Sequence, residues 1–397
     1  MKKNTRSSKK KEEKSRVGSK KVQKKASKTQ GSIKKTKKKS SAANNTKSQM
    51  SNKTSNTSIE HTKQETSVMN NNTVGSNKGK GSKKGKWAGE EAAKIWTRGL
   101  ETANLTAEYE EIRKIVTPFD QSKIWQANAT RNRPYPDYRC LDGNRIVVHL
   151  GKSDYINASR VTVPNFDRTA LLVQMPLVDQ IDCVENFWRM VFNEQCSQVH
   201  LIAQPKEIEG GGFTKLFSQE ANGYFYANDF FVNTRKADKN GEEKMDTYVI
   251  ELLPQGCSNS VICTVYVHAY WKAQGGPEKF YAPIKAATAM AKTDVDKSAI
   301  AIVSFRGSGR NSSLLTTAVV VSQFLKGITP NIKDIVRTIR EQRPMAVDSR
   351  TQYNSIYLAS CWLVKAKSSG QNEEMKNGLK KFREKFEGAS QMSQITK

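Results

Sequence analysis

The composition of the chain changes abruptly at Trp87, and that break decides how much of it can fold. Residues 1–86 carry 26 Lys and Arg against 4 Glu and no Asp, a net charge of +22, with almost no large apolar side chains. Such a segment cannot bury enough surface to offset the entropy of ordering it, so a disordered Lys-rich tail is expected there. The rest of the 397-residue chain holds 40 basic and 34 acidic residues, only +6 of the total +28. Any polyanion affinity therefore belongs to the tail, where clusters such as Lys34-Lys35 and Lys37-Lys38-Lys39 suit the phosphates of nucleic acid or of an anionic membrane. No aromatic residues interleave those lysines for stacking on single strands.

Past the break, Ala88, Ala92, Ile95 and Trp96 fall at helical spacing, and Leu105 to Val116 reads as a second helix opened by Thr106. Residues 87–126 are thus expected to be N-terminal helices of a domain whose body spans 127–366. Short β-branched or aromatic runs at Arg145–His149, Ser197–Ile202, Tyr224–Val232, Thr247–Leu252, Val261–His268 and Ala299–Val303 read as strands. Helical patterns cover Val184–Asn193, Ser312–Lys326 and Ile332–Glu341. Residues 367–397 are expected to be a polar C-terminal tail with a short helix around Met375–Phe386 and then fraying. The fold class is α/β (α+β). Cys140, Cys183, Cys196, Cys257, Cys263 and Cys361 show no metal-ligand spacing, so no cofactor or metal is implied. His149, His200 and His268 read as core or surface residues. With no apolar run near 18 residues and no secretory signal, cytoplasmic or nuclear residence is expected.

Chemistry concentrates at Ala299-Ile-Ala-Ile-Val303, Ser304-Phe-Arg-Gly-Ser-Gly-Arg310 and the helical run after it. Strand, glycine loop and helix in that order aim backbone N–H groups and a helix N-terminus at one point, which favours an anion. Arg310 can add a bidentate fork for phosphate.

Together with other motifs in the same order, this stretch resembles the protein tyrosine phosphatase family. Arg310 stands six residues after Ser304, as in H-C-x5-R. Asn132-Arg-Pro-Tyr-Pro-Asp137 is similar to the phosphotyrosine loop N-R-Y-x-D with one extra residue, and Asp154-Tyr-Ile-Asn-Ala-Ser159 matches D-Y-I-N-A-S. Gln174-Met-Pro176 resembles Q-G-P, Phe187-Trp-Arg-Met-Val191 matches F-W-R-M-V, and Trp271 to Pro277 lies on the mobile W-P-D loop. Gln342-Arg-Pro344 through Gln352-Tyr353 aligns on Q-R-P-x-x-V-Q-T-x-x-Q-Y. The resemblance covers roughly 100–365 and implies a twisted mixed sheet flanked by helices. Residues 251–260 and the Lys-rich leader are similar to a nematode branch of the family.

The resemblance also locates departures. It puts Ser304 at the nucleophilic Cys, Val303 at the neighbouring His, Ala273 at the general-acid Asp, Lys272 at the Pro before it, and Asp348 at the water-positioning Gln. Arg310, Gly307, Ser308 and Gly309 keep a phosphate-binding loop, and Tyr135 and Asp137 match the ring-stacking and substrate-backbone residues. Arg306 replaces a small residue, and either lines a phosphate site or plugs it by pairing with Asp348. The expectation is a catalytically degenerate phosphatase fold, a monomer that binds a phosphotyrosine protein or a kinase or other signalling partner. The alternatives are a residual phosphatase with another nucleophile and a tail-driven polyanion-binding protein.

Overall fold

The strand ending at Ser304 is apolar and buried along its whole length, which is the pattern of a strand covered on both faces. A computed structural model of the chain describes residues 87–239, 245–273, 275–293, 298–368 and 372–395, and the side chains of the last helix as far as Phe386. The disordered leader expected over 1–86 lies outside the described residues.

The described residues begin with helices α1 (Glu90–Gly99), α2 (Leu105–Arg113) and α3 (Lys123–Ala127), then strands β1 (Arg145–Val147), β2 (Tyr155–Val163) and β3 (Phe166–Gln174). Helix α4 (Ile181–Asn193) and strand β4 (Gln198–Ile202) lead to a meander of β5 (Tyr224–Ala227), β6 (Phe230–Asp238), β7 (Met245–Pro254) and β8 (Val261–His268). Helix α5 (Tyr281–Ala291), strand β9 (Ile300–Ser304), and helices α6 (Gly309–Leu325), α7 (Ile332–Gln342), α8 (Arg350–Lys367) and α9 (Glu373–Ile395) complete it.

Among the described residues nine strands form one mixed sheet, in the order β1-β2-β3-β9-β4-β8-β7-β6-β5. β9 runs parallel to β3 and β4, and β4 parallel to β8, while the remaining neighbours are antiparallel. The two-residue side-chain period sends Ile300 and Ile302 to one face, with Leu172, Leu314 and Val319, and Ala301 and Val303 to the other, with Phe187, Trp188 and Leu171. Helix α6 lies on the first face and α4 on the second. The crevice outside the carboxyl ends of the parallel strands is where such a sheet presents a ligand site.

Several elements differ from their expected form. Tyr224–Val232 is two strands, because Asn228 takes a left-handed φ of 51° and turns the chain between Ala227 and Phe230. On α1 the buried face is Ala92, Ala93, Trp96 and Thr97, and Ile95 is exposed. Helix α2 is capped by Asn104, whose side chain accepts from the Ala107 amide, and not by Thr106. The C-terminal segment is no tail: α9 runs from Glu373 to Ile395, Met375 and Phe382 enter the core, and Phe382 stacks on Tyr357. The short helix expected around Met375–Phe386 is there but longer, and its few apolar residues fall on one face, which docks it.

Candidate functional site

The loop between β9 and α6 is pinned from outside by buried polar side chains. Arg343 is fully buried and donates from Nε to the Gly307 carbonyl (2.9 Å) and the Ser308 hydroxyl (3.2 Å), and from Nη1 to the Ser159 hydroxyl (3.1 Å). Gln174, at the end of β3, donates to the Arg306 carbonyl (3.3 Å) and accepts from the Arg133 amide (3.0 Å). Gly307 has a φ of 84°, and a Cβ there would lie 2.7 Å from both the Gln174 Cα and Arg343 Nη2. Only glycine fits that backbone and that gap. Ser304 is buried, and its hydroxyl accepts from the Gly307 amide at 3.2 Å. One amide of the anion nest is therefore already used by the loop's own side chain.

Arg310 does not present a free fork. Its Nη1 and Nη2 each donate at 2.8 Å to the Glu207 carboxylate, and Nη1 also donates to the Trp271 carbonyl at 3.0 Å. Glu207 closes a capping box at the turn after β4, accepting in addition from the Gln204 amide at 2.8 Å. A buried ion pair of this kind is held by its extra hydrogen bonds, and breaking it by removing one partner costs about 3–5 kcal/mol.

Beside the first turn of α6 stands Asp348. Its carboxyl atoms lie 2.6–2.7 Å from where a Cβ on Gly309 would be. Oδ2 accepts from the Tyr138 hydroxyl at 2.8 Å, and Oδ1 is buried without a hydrogen-bond partner among the described residues. Burial pushes the Asp348 carboxyl above its usual range, against the pull of Tyr138, Arg306 and Arg310. Arg306 donates to the same Tyr138 hydroxyl at 3.2 Å, and its guanidinium lies 4.6 Å from the Tyr135 ring centroid. Tyr138 thus bridges the two groups whose direct pairing the sequence suggested. Its phenol is itself pushed up, by burial first and then by Asp348.

These side chains surround a cleft of about 200 Å³ that gathers Tyr135, Glu207, Ala273, Ser304, Arg306, Arg310 and Asp348. The model of the protein-tyrosine phosphatase family matches residues 128–362. The chain belongs to the protein-tyrosine phosphatase family. Among curated relatives it is 27% identical to C15H7.3 of Caenorhabditis elegans, which carries the name of a tyrosine-protein phosphatase, over 75% of this chain and 72% of that one. It is also 27% identical to tyrosine-protein phosphatase non-receptor type 20 of Rattus norvegicus, over 65% of this chain and 60% of that one. A solved structure described by the PTPN18 fingerprint on distinct HER2 tyrosine phosphorylation sites superposes with a TM-score of 0.56 at 23% identity. It covers 69% of this chain and 99% of its own, and shares the fold.

Within this phosphatase domain, the structure gathers most of the residues singled out in the sequence but not all. Asp137 is exposed and does not line the cleft. The extra residue in Asn132–Asp137 is absorbed by tight turns, the Tyr135 amide bonding to the Arg133 carbonyl and the Tyr138 amide to the Tyr135 carbonyl. Gly307 and Ser308 shape the loop from behind the cleft. Three contributors went unnoticed in the sequence: Glu207, Tyr138 and Phe305. Phe305 packs edge-on against Tyr135 (6.2 Å) and lies under the Arg133 guanidinium (4.0 Å). Among the described lining residues there is no histidine or cysteine. The charged groups on the walls are two guanidiniums and two carboxylates.

Proposed function

We propose that this domain recognises a phosphotyrosine-bearing or other signalling protein and does not hydrolyse it. The observation that carries the reading is Ser304. It sits buried at the end of β9, with its hydroxyl engaged by the Gly307 amide, where the family resemblance puts the cysteine nucleophile. A cysteine near pKa 8.5 is readily converted to a thiolate by loop amides, whereas a serine needs a base beside it. No histidine lines the described cleft to act as one. The second support is Ala273, on the cleft wall where the resemblance puts the general acid, with no proton to give. General acid catalysis alone is worth about 10²–10⁴-fold. The third is Arg310, whose Nη groups are held by Glu207 and which would have to share or exchange that partner to grip a phosphate.

The test is turnover by the full chain. Hydrolysis of an aryl phosphate should be no faster than that of the Arg310→Ala variant and should not respond to thiol-alkylating reagents. A clear rate that disappears on Arg310→Ala overturns the proposal and returns the chain to the active phosphatases.

A further inference from the structure

Away from the cleft, the first face of the sheet buries a chain of polar side chains that packing alone does not require. His200 on β4 and His268 on β8 are both fully buried, with His200 Nδ1 3.1 Å from His268 Nε2. His200 Nε2 lies 3.1 Å from Gln198 Oε1, and His268 Nδ1 lies 2.8 Å from the Tyr270 hydroxyl. The Tyr266 ring stacks on His200 at 4.8 Å and 9°.

The proton on each link is fixed from one end. The Ala289 carbonyl in α5 can only accept, and it accepts from the Thr293 hydroxyl at 3.1 Å. The Thr293 oxygen then accepts from Gln198 Nε2 at 2.7 Å, which turns Gln198 Oε1 toward His200. His200 must therefore carry its proton on Nε2 and accept at Nδ1. His268 in turn donates from Nε2 and accepts at Nδ1, so Tyr270 donates its hydroxyl proton. Each link from Tyr270 to the end of α5 thus sets a donor against an acceptor, and the Ala289 carbonyl accepts from Gln198 Nε2 as well, at 3.4 Å. Buried polar networks that are satisfied in this way hold a unique arrangement.

What this series holds is the start of the segment that carries Ala273. The Trp271 amide bonds to the His268 carbonyl, the Trp271 ring stacks on Tyr270 at 6.3 Å and 23°, and Trp271 Nε1 donates to the Gly275 carbonyl at 2.8 Å. The Trp271 carbonyl is the third acceptor of Arg310. We propose that His200 and His268 are positioning residues of the cleft, latching Tyr270 and Trp271 in one arrangement so that Arg310 keeps its backbone partner. The latch acts on the backbone at the cleft wall and operates whether or not Ser304 reacts.

The experiment uses the full chain, labelled with ¹⁵N on histidine, together with amide hydrogen exchange. Both buried rings should appear as Nε2–H tautomers with slowly exchanging ring protons. Tyr270→Phe, which removes the hydroxyl that donates to His268 and keeps the ring, should raise the exchange rates of the Trp271 and Gly275 amides about tenfold or more while leaving the amides of β8 unchanged. His268→Phe should do the same, and His268→Gln, which restores one donor and one acceptor, should recover at least part of the protection. The proposal is overturned if either ring is the Nδ1–H tautomer. It is equally overturned if Tyr270→Phe leaves Trp271 and Gly275 within twofold, or if protection is lost across β8 to the same extent, since the histidines would then be packing and nothing more.

Discussion

Replacing Asp348 by Asn tests whether a single carboxylate keeps phosphate out of this cleft. The substitution preserves the acceptor for the Tyr138 hydroxyl and removes one negative charge. A phosphate cradled at the N-terminus of α6 would stand beside Gly309, and Asp348 already touches the space over the Gly309 Cα. At about 4–5 Å and an effective dielectric near 20, two unit charges repel by about 3–4 kcal/mol. Solvent at the cleft mouth and the neighbouring guanidiniums reduce this, so about 1.5–3 kcal/mol, or roughly ten- to a hundredfold in affinity, is the expected gain. Calorimetric titration of the full chain with one peptide, phosphorylated and unphosphorylated on tyrosine, measures it. The gain should be confined to the phosphorylated form.

Proton linkage supplies an internal check. Because burial raises the Asp348 carboxyl in the folded state, its ionisation opposes folding as pH rises through that raised value, and the opposition vanishes below the unfolded value. Wild-type affinity for the phosphopeptide should therefore approach that of Asp348→Asn as the pH falls, and at pH 7 the variant should be the more stable protein. About 1 kcal/mol, or roughly 2–4 °C in Tm, is the scale of relieving a buried, half-satisfied charge. Unchanged phosphopeptide affinity in the variant, with unchanged Tm, refutes the idea that Asp348 is what guards the nest.

Gly307→Ala should destabilise the domain by about 2–4 kcal/mol in urea unfolding, since the new Cβ meets the Gln174 backbone at a φ of 84°; a loss under about 1 kcal/mol would mean the loop is not clamped as described. The buried histidines should make the protein acid-labile above the carboxylate range. Burial lowers both, His268 to about 3, so the stability of holding them neutral is complete above the unfolded value near 6.5 and drains away as pH falls toward 3. Between pH 6.5 and 5 the loss should approach about 2 kcal/mol per histidine, and His268→Gln should lose about half the wild-type slope; an equal slope in both would disprove it.

How much of this could be read from the sequence depended on whether a residue's partner lies nearby in the chain. β8 was found at its observed ends, and β9, the loop and α6 announced themselves by an apolar run, two glycines and a helical pattern. Helix α5 was missed because Pro283 looks like a breaker, yet it stands in the first turn, where no amide is needed. Helix α8 was visible only through its resemblance to a motif, because its buried side includes Gln352, Ser355 and Ser360 and so shows weak periodicity. β2 was obscured likewise by Asn157 and Ser159, whose burial makes sense only once Tyr138 and Arg343 are in place. Glu207 is the sharpest case. It pairs across 103 residues, and nothing local distinguishes it from any acidic residue in a capping turn.

The two carboxylates of the cleft are not equivalent, and the difference indicates which of them yields to a ligand. Glu207 receives both Arg310 nitrogens and the Gln204 amide, so displacing it would leave three donors unpaired. Asp348 receives one phenol, keeps one oxygen unsatisfied, and is already pushed toward its neutral form. An anion arriving at α6 therefore meets least resistance by protonating or displacing Asp348, and Tyr138 is the group that would report it, since its hydroxyl joins Asp348 to Arg306. Movement there would release Arg306 from the Tyr135 ring and free that aromatic face, whereas Arg310 would stay anchored by Glu207 and by the latched Trp271 carbonyl. On this arrangement Asp348 is the carboxylate with fewer hydrogen bonds, and Glu207, Arg310 and the Trp271 carbonyl are joined by three.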